Sequence, residues 1–130
     1  MNRLEKKFNT ARAFVPKPFV SNQSGAKAGI IAFGSSHFAV EESRDELKEA
    51  GIATNYLRVR ALPFTDEVKK FVAENDHIYV VEQNRDGQLR DLLRLEYPEA
   101  SMKFRSVRHF NGLPINAKFV TDAIASEEKK

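Results

Sequence analysis

The chain contains no cysteine. That absence excludes disulfides, a thiol nucleophile, and thiolate ligands for zinc or an iron–sulfur cluster, so this segment is not expected to store electrons. Long apolar runs are also missing. The most extended, such as Ile30-Ile31-Ala32-Phe33 and Ile78-Tyr79-Val80-Val81, fall far short of the roughly 20 residues a membrane helix requires. Residues Met1 to Lys7 are charged and carry no apolar stretch leading to a small-residue cleavage site. They are therefore not read as a secretory signal, and a soluble, cytoplasmic protein with no membrane partner is expected. Finally, no charge of one sign is gathered into a stripe. The 21 basic and 18 acidic residues give a net charge of +3 but are interspersed. Arg58, Arg60, Arg105 and Arg108 come nearest to a basic cluster, yet no aromatic stacking platform accompanies them, so nucleic acid is not expected as a partner.

What is present suits one folding unit with ragged ends. Hydrophobic residues make up 42% and charged residues 30% of 130 positions, ordinary values for a globular domain. A chain of that length hides roughly two-thirds of its unfolded surface. Leu4, Phe8 and Ala11 predict a charged helical lead-in over residues 1–14, which Val15-Pro16-Lys17-Pro18 stops. The boundaries that follow are a lead-in and linker over 1–17, a single α/β domain over 18–126 and a frayed tail over 127–130.

Within the domain, strands and helices alternate. After the turn-forming Ser21-Asn22-Gln23-Ser24-Gly25, the apolar run Gly29 to Phe33 predicts a buried strand. Gly34-Ser35-Ser36 then leads into a helix carrying Phe38, Ala39, Leu47 and Ala50, which Gly51 ends, with a serine expected as N-cap. A second unit comprises a strand from Ile52 to Val59 and a helix opened by Thr65-Asp66-Glu67, continued by Val68, Phe71 and Val72 and ended at Asn75. His77 to Glu82 is the third strong strand. Gln83 to Gln88 forms its turn, and Leu89, Leu92, Leu93 and Leu95 lie on a helix halted before Pro98. Phe104 to Val107 reads as a weaker strand. Asn116 caps a last helix bearing Phe119, Val120, Ala123 and Ile124. Such alternation predicts an α/β fold with a mostly parallel sheet covered on both faces.

Ligands of such sheets lie outside the carboxyl ends of the strands, which points to two turns. Gly34-Ser35-Ser36 can offer helix amides to a phosphate or carboxylate, but lacks a glycine fingerprint and a P-loop lysine, so a plain helix cap is the simpler reading. Arg58 and Arg60 at a strand end suit an anion and equally suit an inter-subunit salt bridge, the simpler reading again. Together, Ser35, Ser36, Arg58 and Arg60 define a candidate anion site. The turn Glu82-Gln83-Asn84-Arg85-Asp86-Gly87-Gln88 holds more donors, acceptors and charge than a turn needs, which favours a crevice or an interface over a solvated loop. His37, His77 and His109 show no metal-ligand spacing, and no metal site is assigned. Ser35 sits in Phe-Gly-Ser-Ser-His and not in a Gly-x-Ser-x-Gly elbow. No catalytic residue and no cofactor-binding residue can be named from these patterns.

In order and spacing, five stretches resemble the carboxyl-terminal segment of the alpha subunit of 2-oxoacid:ferredoxin oxidoreductases, the 2-oxoglutarate type above all. They are Thr10-Ala11-Arg12 with Val15-Pro16-Lys17-Pro18; Gly29-Ile30-Ile31-Ala32-Phe33-Gly34-Ser35; Leu57-Arg58-Val59-Arg60-Ala61-Leu62-Pro63-Phe64; Tyr79-Val80-Val81-Glu82-Gln83-Asn84-Arg85-Asp86-Gly87-Gln88-Leu89; and Gly112-Leu113-Pro114-Ile115. The resemblance implies a transketolase carboxyl-terminal-like fold, a three-layer α/β/α sandwich around a mixed sheet of about five strands. It implies oxidative decarboxylation of a 2-oxoacid to its acyl-coenzyme A, with thiamine diphosphate, magnesium and iron–sulfur clusters held by other domains and the beta subunit. Ferredoxin and coenzyme A are the implied partners of the complete enzyme, and the isolated chain is expected to be inactive. Asp86-Gly87 falls short of a Gly-Asp-Gly diphosphate motif, and the family's pyrimidine-binding domain is not in the sequence, so Met1 is expected to mark a truncation or a split gene. Glu82, Asn84, Arg85 and Gln88 are the expected contact face toward neighbouring domains. The rival expectation is a stand-alone module in which the candidate anion site holds a small anion or nucleotide.

Overall fold

A computed structural model describes residues 16–110 and 113–129. Its elements in chain order are β1 (Phe19–Ser21), β2 (Ala28–Phe33), α1 (Ser36–Glu49), β3 (Thr54–Val59), α2 (Asp66–Glu74), β4 (His77–Glu82), α3 (Gln88–Glu96), a 3₁₀ segment (Pro98–Lys103), β5 (Phe104–Arg108) and α4 (Ala117–Glu128). The helical lead-in expected over 1–14 lies outside the described residues.

Side chains on a strand alternate between faces, and this period of two sorts the apolar residues into two layers. Ile31, Leu57, Ile78 and Val80 pack with Val68, Phe71 and Val72 of α2 and Leu89 and Leu93 of α3. Their neighbours Ile30, Ala32, Tyr56, Tyr79 and Val81 face the opposite way, against Val40 and Leu47 of α1 and Val120 and Ile124 of α4. The result is the expected three-layer sandwich around a five-stranded sheet of order β1-β3-β2-β4-β5. All neighbouring strands run parallel except β1, which pairs antiparallel with β3, Phe19 opposite Arg58 and Ser21 opposite Tyr56. β1 spans three residues, too few to show a period of its own.

Gly29 sits directly under Phe71 of α2 and Asn75, which ends that helix. A Cβ there would stand 2.9 Å from Phe71 Cε1 and 3.0 Å from Asn75 Cγ, inside ordinary contact distance. Asn116 caps α4 as expected, its Oδ1 accepting from the Phe119 amide at 2.9 Å. The described part of the tail is helical where the sequence suggests fraying. The helix continues through Glu128, whose carboxylate accepts from the Tyr79 hydroxyl at 2.8 Å and lies 2.8 Å from His77 Nε2. Among the described residues, no helix is long and apolar enough to cross a membrane.

Candidate functional site

The order of the strands fixes where a crevice opens. From β2 the chain steps to β3 on one side, then returns across β2 to β4 and onward to β5. Parallel crossovers keep one hand, so the connecting helix changes face when the direction of travel reverses. Accordingly α1 covers one layer, while α2 and α3 cover the other. Between β2 and β4 the connections diverge, and their carboxyl ends leave the gap in which open α/β sheets bind ligands.

A cavity of about 670 Å³ opens there, bordered by Ser35, Gln83, Asn84, Arg85, His109 and Phe110. Its two walls are tied together by Gln83, whose Nε2 donates to Ser35 Oγ at 2.7 Å and Ser36 Oγ at 3.2 Å. Those hydroxyls are thus engaged across the gap, and Ser35 makes no side-chain cap to α1, contrary to the expected serine cap. Arg58 Nη2 lies 3.4 Å from the Gly34 carbonyl. Arg60 borders a different depression, with Phe33, Leu62 and Leu92. The four residues of the expected anion site therefore do not converge on one point.

The turn after β4 is built from within. Glu82 is fully buried. Its Oε1 accepts from the Leu89 amide at 2.6 Å and Asn84 Nδ2 at 3.0 Å, and its Oε2 accepts from the Arg90 amide at 3.3 Å. A helix leaves its first amides without partners, and the residue before α3 is Gly87, which has no side chain to offer. The carboxylate at the strand end supplies the cap, favoured by the positive end of the helix dipole. Three donors also account for a buried charge that would otherwise be costly. Asn84 Oδ1 accepts from the amides of Gly87 at 2.8 Å and Gln88 at 3.3 Å. Gly87 takes φ of 65°, a left-handed conformation that only glycine adopts without strain.

Of the four residues expected at a contact face, Glu82 is thus interior, and Asn84 is committed to the turn. Arg85 and Gln88 are exposed. Arg85 Nε lies 3.5 Å from Asp86 Oδ1, both side chains largely in solvent. Sequence reasoning missed His109, whose Nε2 lies 2.9 Å from the Leu113 carbonyl and whose amide donates to the Glu82 carbonyl at 2.9 Å. No local spacing announces that residue, because its partners come from other elements. The three histidines stand apart: His37 beside the Tyr56 hydroxyl, His77 beside Glu128, His109 in the crevice wall. Among the described residues no group of three or more His, Cys, Asp or Glu is placed to hold a metal ion.

No family model matches the chain. Over 130 aligned residues, 95% of its length, it is 29% identical to subunit alpha of 2-oxoacid:ferredoxin oxidoreductase 2 from Aeropyrum pernix. The chain spans 20% of the length of that relative. Among solved structures, 2-oxoglutarate:ferredoxin oxidoreductase from Magnetococcus marinus, determined with 2-oxoglutarate, coenzyme A and succinyl-CoA bound, superposes with a TM-score of 0.78 and 26% identity. That match covers 92% of this chain and 21% of the other. The alpha chain of a probable 2-oxoacid ferredoxin oxidoreductase from Thermoplasma acidophilum has the same fold, with a TM-score of 0.58 and 22% identity over 88% of this chain and 98% of that one. A split-gene transketolase matches at a TM-score of 0.70 and 17% identity, over 85% of this chain and 40% of that one. The chain thus has the fold of transketolase carboxyl-terminal-like α/β domains.

Proposed function

We propose that this chain is a non-catalytic domain of the alpha subunit of a 2-oxoacid:ferredoxin oxidoreductase, acting on 2-oxoglutarate in the cytoplasm. Its role is to pack against other alpha-subunit domains and the beta subunit, holding them in register while oxidative decarboxylation to the acyl-coenzyme A proceeds elsewhere. The observation that carries this reading is the match to the Magnetococcus enzyme, in both fold and sequence, over nearly the whole described chain.

The complete enzyme of this reading uses thiamine diphosphate, magnesium and iron–sulfur clusters, and the residues here do not fit those groups. Magnesium with a diphosphate needs free oxygen donors. In the turn after β4, the Glu82 and Asn84 oxygens already accept from backbone amides, leaving Asp86 beside Arg85 in solvent. Thiolates for a cluster are missing, because the chain has no cysteine. The cofactors are therefore assigned to partner domains, ferredoxin and coenzyme A to the assembled enzyme, and no activity to the isolated chain. A stand-alone anion module receives no support from serines already joined through Gln83, an Arg58 turned to the Gly34 carbonyl and an Arg60 that borders a different depression.

Arg85 and Gln88, presented on a loop braced by Glu82 and Asn84, are the proposed contact residues; exposed arginine is a frequent interface anchor. The test is co-expression of the tagged chain with its cognate alpha-domain and beta partners, followed by assay of 2-oxoglutarate- and coenzyme A-dependent ferredoxin reduction. An active complex is expected, and Arg85→Ala/Gln88→Ala should weaken its assembly about tenfold or more, a loss of about 1.4 kcal/mol. Unchanged assembly and turnover would remove those residues from the interface. Failure of the chain to join any such complex would overturn the whole reading.

A further inference from the structure

β5 forms one border of the sheet, and among the described residues no strand lies beside its outer edge. The hydrogen-bond ladder shows which groups that edge presents. His109, the residue after β5, donates its amide to the Glu82 carbonyl of β4 at 2.9 Å. Along a strand the peptide groups of alternate residues point to opposite sides, so Arg105 and Val107 also bond toward β4. Phe104, Ser106 and Arg108 turn theirs outward. Arg94 Nη2 occupies the Phe104 carbonyl at 3.2 Å. The amides and carbonyls of Ser106 and Arg108 remain as an open strand edge.

Such an edge is a template for another strand unless cover or charge prevents it. Here the charge has one sign. Arg105 and Arg108 are exposed along β5, and Arg85 is exposed where its carbonyl accepts from Arg108 Nη1. Arg90 Nη2 and Ser106 Oγ meet beside Gly87, 3.7 and 3.5 Å from where a Cβ would stand on that glycine. Arg90 Nε and Ser106 Oγ are buried without a hydrogen-bond partner. Among the described residues, none of Arg90, Arg105 and Arg108 pairs with a carboxylate. A second copy of β5 would set arginine against arginine, and a neutral strand would cover these charges without answering them. A strand bearing carboxylates answers both the open peptide groups and the charge.

We propose that the β5 edge docks an acidic, extended segment of another protein, added as a strand beside Ser106 and Arg108 with its carboxylates against Arg90, Arg105 and Arg108. Main-chain hydrogen bonds would hold the segment in register, and guanidinium–carboxylate pairs would select it. This inference does not rest on the proposed function, because it needs only the edge and its charges.

The test is an NMR titration of the isotope-labelled full chain with a capped peptide of alternating glutamate and valine. The amides of Ser106 and Arg108 should shift and exchange about tenfold or more slowly, while Phe19 and Val20 on the opposite edge stay unmoved. Added salt should weaken binding to the unaltered chain, since the pairs lie at the surface. Arg105→Glu/Arg108→Glu should abolish binding and Arg105→Gln/Arg108→Gln weaken it about tenfold, both with unchanged circular dichroism. Equal binding of a peptide of alternating lysine and valine would remove charge as the basis of recognition. Equal binding of the acidic peptide with its amides N-methylated, which keeps the carboxylates and loses the donors, would show attraction without strand addition. Either result, or an acidic peptide that leaves Ser106 and Arg108 unmoved, overturns the proposal.

Discussion

Glu82 and Tyr79 occupy the same strand and face different problems. As part of a run of polar side chains, Glu82 reads as an exposed contact, but the strand end buries it under α3, where it accepts from two helix amides and an asparagine. Glu82→Gln would turn an NH₂ group toward an amide donor. It should lower stability by about 1–3 kcal/mol, the cost of leaving a buried polar group unmatched, measured by urea denaturation. Tyr79 shows the pH consequence of burial. Its phenol is pushed above the usual tyrosine value of 10.0, first by desolvation and then by its hydrogen bond to Glu128. Tyr56 is raised for the same leading reason. The folded state therefore holds these protons more tightly than the unfolded chain. Their contribution is fully present below pH 10.0 and is lost as pH climbs from there through the higher folded-state values. Denaturation midpoints should fall steeply above about pH 10, and less so in Tyr79→Phe. A flat midpoint through that range would contradict the burial of the two phenols.

At the scale of elements, α3 and its neighbours show why a helix was legible and its surroundings were not. Leu89, Leu92, Leu93 and Leu95 announce a helix, and only Leu89 and Leu93 are buried. A turn of 100° per residue puts Leu92 and Leu95 beside that stripe, widening the apolar arc beyond what one sheet face can cover. The excess was visible in the sequence, but the groove it helps form needed Leu62 and Phe33 from other elements. β1 was not legible, since its pairing with β3 comes from a partner more than thirty residues away and not from its own three residues. Gly29 belongs to the same class. Nothing local marks it, yet Phe71 and Asn75 fill the space a side chain would need. Gly29→Ala should cost about 1–3 kcal/mol through overpacking, seen as a lower thermal midpoint. An unchanged midpoint would mean that α2 can shift away without loss.

For the whole molecule, both apolar layers share one sheet, and β2 and β4 are buried on both faces. Neither layer keeps its packing if the other separates, so unfolding should be a single cooperative transition. The three tyrosines allow a check, because Tyr97 lies in one layer while Tyr56 and Tyr79 lie in the other. Tyrosine fluorescence and far-ultraviolet circular dichroism should give coincident melting curves, and two resolved transitions would show the layers to be independent. The sequence by itself determined the α/β class, the places of four of the five strands and the helix caps at Gly51 and Asn116, because period, turn chemistry and capping act over a few residues. Only the tertiary structure decided that Glu82 is a cap and not a contact, that Ser35 and Ser36 close on Gln83, and that Leu62 and Leu92 share a groove. Each of these depends on which distant residues the sheet order brings within hydrogen-bond or van der Waals reach, a property of topology that no local spacing encodes.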